Sequence, residues 1–537
     1  MSPLPVARAR RLGTVVTTLM MQGFEVPLAR MRLTHCATLR CRLHCTWARI
    51  TGRKVSEHPW PVAVREALIR LGPAFVKIGQ ILSVRSDLIP PKLVAALHSL
   101  QSAVPPVPLP SVLEAVEEAL GQPASEYFAR FDPEPLAAGS VAQVHRATLT
   151  DGTDVVVKIK REGIDALVAQ DLEILVWLAD RLERHVPESR RYRPRRATEE
   201  LRRYTLLELD FRNEARVAAE VGARFSTWPR VEVPEVFAAT RDVIVMAWVE
   251  GFPIDDLDAL VANDIDPSEL MRLGTEATLA QIFEFGLFHG DPHPGNLHVT
   301  PDGRIALLDF GIFGRIDPRL RRDCAMLMWC LAEGDTEQAA TWLLHMADLE
   351  PGADPGAFRT EVERCFRAWR GRSVDEYGFG RLLYDELTIG ARHGVIFPPD
   401  MVLLGKALLT LEGVARSVDP GLDISAVAEP FLASLRGQLF DPAQLKRSLA
   451  RAWPLWWALA ERLPVDLVEA TDQRLHRRSA APVPTPAIPQ GLVVAGITVL
   501  AGAALLVAAL PPAIGGWSVP GALLLLPGLW RLWRHGR

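Results

Sequence analysis

At 537 residues and 59.3 kDa the chain is too long for one compact domain. An apolar fraction of 49% with 23% charged residues excludes global disorder, and a net charge of −4 argues against a chain organised around nucleic acid. Six cysteines (36, 41, 45, 324, 330 and 365) are too few and too clustered for a disulfide framework, and they fit a reducing compartment.

Residues 1–55 form a basic arm, with ten Lys or Arg up to Lys54 against one acidic residue, Glu25. Its apolar residues suit either an anionic membrane surface or a helical cover over the main domain, and it lacks the apolar core of a secretory signal. His35, Cys36, Cys41, His44 and Cys45 cluster here, but without paired CxxC ligands the stretch reads as an amphipathic helix before it reads as a metal site.

Residues 56–135 read as helical. Pro73 suits a first helical turn, and Phe75, Ile78 and Leu82 recur at i, i+3 and i+7, which leaves Lys77 and Gln80 together on another face. The prolines at 105, 106, 108 and 110 predict a stiff linker before a helix starting at Ser111.

Strand chemistry begins in 136–250. Two period-two runs meet at Asp151-Gly152, a strong hairpin signal. In the second run Val155, Val157 and Ile159 share one face, so Lys158 stands on the other. The small-residue turn Ala137-Ala138-Gly139-Ser140 would bring backbone amides close to phosphates over that face. Glu214, in the acidic stretch with Glu208 and Asp210, is the candidate partner for Lys158. The strand Val243 to Trp248 would join the two lobes and put Met246 near a nucleotide base.

In 251–420, Asp291 and Asn296 lie five apart in HGDPHPGN, and Asp309 follows thirteen later at the end of a strand. That layout is the catalytic loop and metal loop of protein-kinase-type phosphoryl transfer: a carboxylate at the attacking oxygen, an amide and a second carboxylate on Mg²⁺, and a lysine on the phosphates. The late helix from Met401 to Arg416, Lys406 included, reads as structural.

Residues 421–490 read as helices and a Pro-rich linker. From Ser479 to Trp530 there is no charge, and Gly491 to Leu510 is an unbroken apolar run, so 491–532 predicts two membrane helices. Arginines on both outer flanks would place both ends in the cytoplasm.

Together VKIGQ (Val76 to Gln80), the alanine-rich turn, VVVK ending at Lys158, ELD (Glu208 to Asp210), HGDPHPGN and DFG resemble the UbiB/AarF family of atypical kinase-like proteins, over roughly residues 60 to 420. The resemblance implies an α+β, two-lobed kinase-like fold with an N-terminal helical KxGQ extension, here ending in a C-terminal transmembrane hairpin. It implies that Lys158 binds nucleotide phosphates and pairs with Glu214, that Asp291 is the catalytic carboxylate, and that Asn296 and Asp309 hold Mg²⁺. Lys77, Gly79 and Gln80 would fold over the cleft, with Glu208 and Asp210 facing them, leaving Lys77 either a catalytic or an inhibitory role. Gly139 departs from the family, where a third alanine is usual, and bears on the choice between ATP and ADP.

The function so implied is a membrane-anchored, Mg²⁺-dependent ATPase or atypical kinase supporting isoprenoid quinone biosynthesis. It would sit on the bacterial cytoplasmic membrane facing the cytoplasm, with inner-membrane lipids, polyprenyl quinone intermediates and quinone-biosynthesis enzymes as partners. Two rivals stand beside it: a phosphotransferase acting on a small-molecule or protein hydroxyl, and a nucleotide-sensing scaffold of a lipid-synthesis complex.

Overall fold

Among the described residues, eight α-helices precede the first strand: α1 (Val6–Met21), α2 (Glu25–Arg30), α3 (Leu39–Thr51), α4 (Trp60–Leu71), α5 (Pro73–Val84), α6 (Pro91–Leu97), α7 (Leu109–Leu120) and α8 (Ala124–Tyr127). The computed structural model describes residues 6–422, apart from 52–54, 56–57, 85–88, 90, 98–99, 101–105, 193 and 371–377, together with 427 and 431. All of these belong to the first of two compact units, Met1–Asp441. Helix α7 starts at Leu109, two residues before the expected Ser111, because Pro110 fits its first turn.

The basic arm folds back onto the protein. Leu12, Val16 and Met20 of α1 and Cys41 and Cys45 of α3 are buried with Leu68, Leu71 and Phe75 of α4 and α5. That apolar face leaves Cys41 and Cys45 packed as small hydrophobes, and no group of three or more His, Cys, Asp or Glu side chains among the described residues is placed to hold a metal ion. Gly79 earns its place by packing: a Cβ there would press into the side chains of Leu68 and Leu100.

The N-lobe sheet comprises β1 (Phe128–Phe131), β2 (Ala137–Ala138), β3 (Ala142–Leu149), β4 (Asp154–Lys160), then, after β5 (Val231–Glu232), β6 (Val236–Ala239) and β7 (Val243–Ala247). The strand order is β1-β3-β4-β7-β6, antiparallel throughout, with β2 added to β3. The β3–β4 turn holds Gly152 at φ +92°, a left-handed conformation that glycine adopts without strain. Alternation sends Val155, Val157, Val243 and Val245 under α7, against Val112 and Val116. The opposite face is met by α11 (Phe211–Phe225), which follows α9 (Ile164–His185) and α10 (Pro194–Glu208).

Arg11 ties three helices together. Its guanidinium donates two 2.8 Å bonds to Asp171 of α9, whose side chain is fully buried, and a third to the Leu71 carbonyl at the end of α4.

The lobe connection is short. The Trp248 amide donates to the Asp154 carbonyl (2.9 Å), and β8 (Phe252–Pro253) already pairs with a C-lobe strand. Between them, a Cβ on Gly251 would lie 2.7 Å from the Val299 carbonyl oxygen. The C-lobe continues through α12 (Leu257–Ala262) and α13 (Pro267–Ala280), which widens into a π-turn at Gln281–Phe285. Strands β9 (Leu287–His289), β10 (Leu297–Val299), β11 (Ile305–Leu307) and β12 (Phe313–Arg315) carry the loops of the site. Behind them pack α14 (Pro318–Glu333), α15 (Thr336–His345), α16 (Pro355–Arg370), α17 (Phe379–His393) and α18 (Pro399–Val418), with a small ladder of β13 (Asp348–Leu349) and β14 (Val395–Ile396).

No helix among the described residues is long and apolar enough to cross a membrane. The two longest, α9 with 22 residues and α18 with 20, carry charges along their length, among them Asp171 and Glu173, and Lys406 and Glu412. This corrects the expected fold class, whose last part was a transmembrane hairpin. The segment that carried that expectation, 491–532, lies outside the described residues, as does most of 421–490. The membrane-anchored function, the lipid and quinone-intermediate partners and the location at the cytoplasmic membrane are corrected with it.

Candidate functional site

Helix α11 has an apolar stripe of Phe211, Ala218, Val221 and Phe225, and Glu214 falls on it. A carboxylate on a buried stripe needs a cation, and β4 supplies one. Lys158 Nζ donates to Glu214 Oε1 at 2.7 Å and Oε2 at 2.9 Å, lies 5.4 Å from the centre of the Phe211 ring, and stands 3.6 Å from Asp309 Oδ1. Burial opposes the ammonium charge, yet Glu214, Asp309 and Glu208 together hold Lys158 above the usual lysine range. The neighbouring Lys160 is committed elsewhere, to Asp165, Asp242 and the Leu209 carbonyl.

Asp309 follows β11, with its Oδ1 accepting the Gly311 amide at 3.1 Å. Burial alone would raise its pKa, but Lys158, that amide and Lys77 bring it well below the ordinary carboxylate value. Asn296 donates through Nδ2 to the Asp291 carbonyl (3.1 Å), which leaves its amide oxygen for another partner. A carboxylate with a depressed pKa and a free amide oxygen are hard oxygen donors of the kind Mg²⁺ takes, so Asp309 and Asn296 fit that ion chemically.

His289 supports this loop from beneath. Its Nδ1 accepts the Asp291 amide (3.2 Å), its ring stacks on Phe313, and its own amide donates to Gln281 Oε1 (2.9 Å). Burial lowers the imidazole pKa to about 4, against the pull of Asp309 and Asp291. The sign follows from linkage: the unfolded chain takes up this proton near 6.5, the folded chain only near 4. Between those values the unfolded state binds more protons, so this contribution is complete above about 6.5 and lost as pH falls toward 4, by about 3 kcal/mol in all. Denaturation of wild type and His289→Gln at pH 5 and pH 7.5 should show a smaller pH dependence in the variant; equal dependence would remove His289 as its source.

The KxGQ segment reaches the cleft through one side chain. Lys77 forms an ion pair with Glu208 at the end of α10. A Cβ on Gly311 would lie 3.3 Å from Asp309 Oδ1 and 3.9 Å from Glu208 Oε1, so the pair sits beside the loop that carries Asp309. Gln80 points away, donating to the Leu100 carbonyl at 3.2 Å. Asp210 also turns from Lys77: it caps α11 by accepting the Arg212 amide (3.1 Å) and binds the Arg212 guanidinium at 2.9 and 2.6 Å. Met246 is buried with Phe211 and Ile244 on the cleft-side face of the sheet. Of the small-residue turn, Ala137 and Ala138 form β2, the Gly139 amide donates to the Ala142 carbonyl (2.8 Å), and Ser140 is buried.

Sequence reasoning left one member out. Lys406 of α18, read as structural, is buried and donates to Asp291 Oδ1 at 2.8 Å. Its only signal was a lysine among Leu403, Leu404 and Ala407 in an apolar helix.

Comparison with known proteins gives the following. Residues 99–343 match the ABC1 atypical kinase-like domain and residues 362–423 the UbiB helical domain. A "Probable protein kinase UbiB" of Marinobacter nauticus is 34% identical over 425 residues, covering 78% of this chain and 77% of the relative. One of the same description from Cellvibrio japonicus is 36% identical, covering 75% and 74%. Among solved structures, the Rv3197–erythromycin complex of Mycobacterium tuberculosis matches 67% of this chain and 91% of its own, at 24% identity and a TM-score of 0.46.

Proposed function

The chain belongs to the UbiB/AarF family of atypical kinase-like proteins, and we propose that its cleft binds a Mg²⁺-nucleotide and transfers the terminal phosphoryl group. Family membership supports a kinase- or ATPase-like role. The observation that carries the finer reading is the Lys158 ammonium held between Glu214 and Asp309. In protein kinases a lysine paired with a helix carboxylate, next to a metal-binding aspartate, is the arrangement required for transfer.

In this reading Lys158 draws on the nucleotide phosphates and Glu214 aims it, while the Ala137–Ser140 turn covers the phosphates and Met246 borders the base. Asp309 and Asn296 hold Mg²⁺, which when bound neutralises the charge of the phosphates. Asp291 orients the attacking oxygen and takes its proton. A small acceptor, water or a small hydroxyl compound, is favoured because Lys77 and Glu208 stand beside Gly311 on the approach to the metal loop. The quinone-lipid role, which came with the family resemblance alone, forms no part of the proposal.

Calorimetry of ATP and ADP binding with and without Mg²⁺ tests it. Wild type should bind nucleotide in a Mg²⁺-dependent way, and Asp309→Asn should bind about tenfold more weakly with that dependence lost. Equal affinity of the two proteins, with or without the ion, would sink the reading.

A further inference from the structure

Helix α18 touches the reacting loops along one face. At i, i+3 and i+6, Asp400 accepts the Arg315 amide of β12 (3.3 Å), Leu403 closes against Gly290, where a Cβ would come within 2.8 Å of it, and Lys406 donates to Asp291. This helix lies in the segment matched to the UbiB helical domain, outside the kinase-like segment that holds Asp291.

The catalytic loop has no lysine or arginine of its own. Between Asp291 and Asn296 it reads Pro-His-Pro-Gly, and His293 turns back on the loop, its Nδ1 accepting the Gly295 amide at 3.0 Å. The other cleft ammonium groups are committed, Lys158 to Glu214 and Asp309, and Lys77 to Glu208. Lys406 is different: its side chain is 9% exposed, and among the described residues Asp291 Oδ1 is the one hydrogen-bond acceptor of its three donors.

Stability alone does not account for this pair. Asp291 keeps 26% of its side-chain surface and could be solvated without Lys406, whereas burying an ammonium in an apolar helix face is costly. We propose that Lys406 is a positioning residue: it fixes the Asp291 carboxylate in its working rotamer and supplies, from α18, the positive charge that the catalytic loop lacks. The kinase-like segment is therefore incomplete as a catalyst without the helical domain. This inference rests on the phosphoryl-transfer reading of the cleft.

The test is a double-mutant cycle on the full chain, with Lys406→Met, Lys406→Arg, Asp291→Asn and the double variant Asp291→Asn/Lys406→Met, measuring ATP turnover and Mg²⁺-nucleotide affinity. Lys406→Met should lower kcat about tenfold to a hundredfold with nucleotide affinity unchanged, and Lys406→Arg should recover most of the loss. In the Asp291→Asn background the Lys406 change should cost nothing more, because it acts through that carboxylate. Lys406→Gln replaces the methionine variant in the cycle if the latter does not fold. Wild-type turnover in Lys406→Met, or additive losses in the double variant, would overturn the proposal while leaving the phosphoryl-transfer reading intact. Full turnover in Asp291→Asn would instead overturn that reading and the role of Lys406 with it.

Discussion

Asp171→Ala should destabilise the protein by about 3–5 kcal/mol, because it leaves the Arg11 guanidinium in a mostly buried place with its ion partner gone. Arg11 is 20% exposed and keeps its bond to the Leu71 carbonyl, so some charge can reach water, but the two-bond fork that orients it is lost. The expected signature is a lower urea midpoint with earlier proteolysis in α1, which this pair anchors to α9. Removing both charges at once, as Arg11→Met with Asp171→Leu, should cost less than Asp171→Ala alone, since apolar groups of similar size leave nothing unpaired. A change below about 0.5 kcal/mol for Asp171→Ala would mean that α1 is held by its apolar face alone.

Glu214→Ala should cost ATP turnover about a hundredfold to a thousandfold on the proposed function. With Glu214 gone, Asp309 at 3.6 Å is the nearest remaining carboxylate to Lys158. The ammonium would swing onto it, leaving the phosphates and competing with Mg²⁺ for the same oxygen. The loss should therefore be eased by raising Mg²⁺, a dependence that a merely structural defect would not produce. Glu214→Gln should retain more activity than alanine, because its amide oxygen can still accept from Lys158. Turnover unchanged in Glu214→Ala would separate this ion pair from catalysis.

What could be read from the sequence was what acts over short spans. The alternation of β4 places Lys158 opposite Val155 and Val157 within a few residues, and Asp291, Asn296 and Asp309 lie within one loop–strand–loop unit. Asp210 was equally readable as the residue before an amphipathic helix, but grouping it with Glu208 pointed both toward Lys77, and only Glu208 goes there. Glu214 could have been found more directly from its seat on the buried stripe of α11 than from its acidic neighbours. Contacts between distant parts were closed to such reasoning: Lys406 and Asp291 are 115 residues apart, Arg11 and Asp171 160 apart. No period or spacing rule spans those distances, so the reach of α18 into the cleft appears only in three dimensions, as do the contacts of the basic arm, for which the sequence offered a helical cover as one of two readings.

The lobe connection sets how such a cleft can breathe. With Trp248 bonded to the N-lobe sheet and Phe252 paired in the C-lobe, only Val249, Glu250 and Gly251 are left to bend, and Gly251 is walled by the Val299 carbonyl. Opening must then be a swivel about the backbone torsions of Val249 and Glu250, a stiff two-residue pivot. Motions of this kind run on the microsecond-to-millisecond scale, so opening and closing of the cleft would be paced by that pivot.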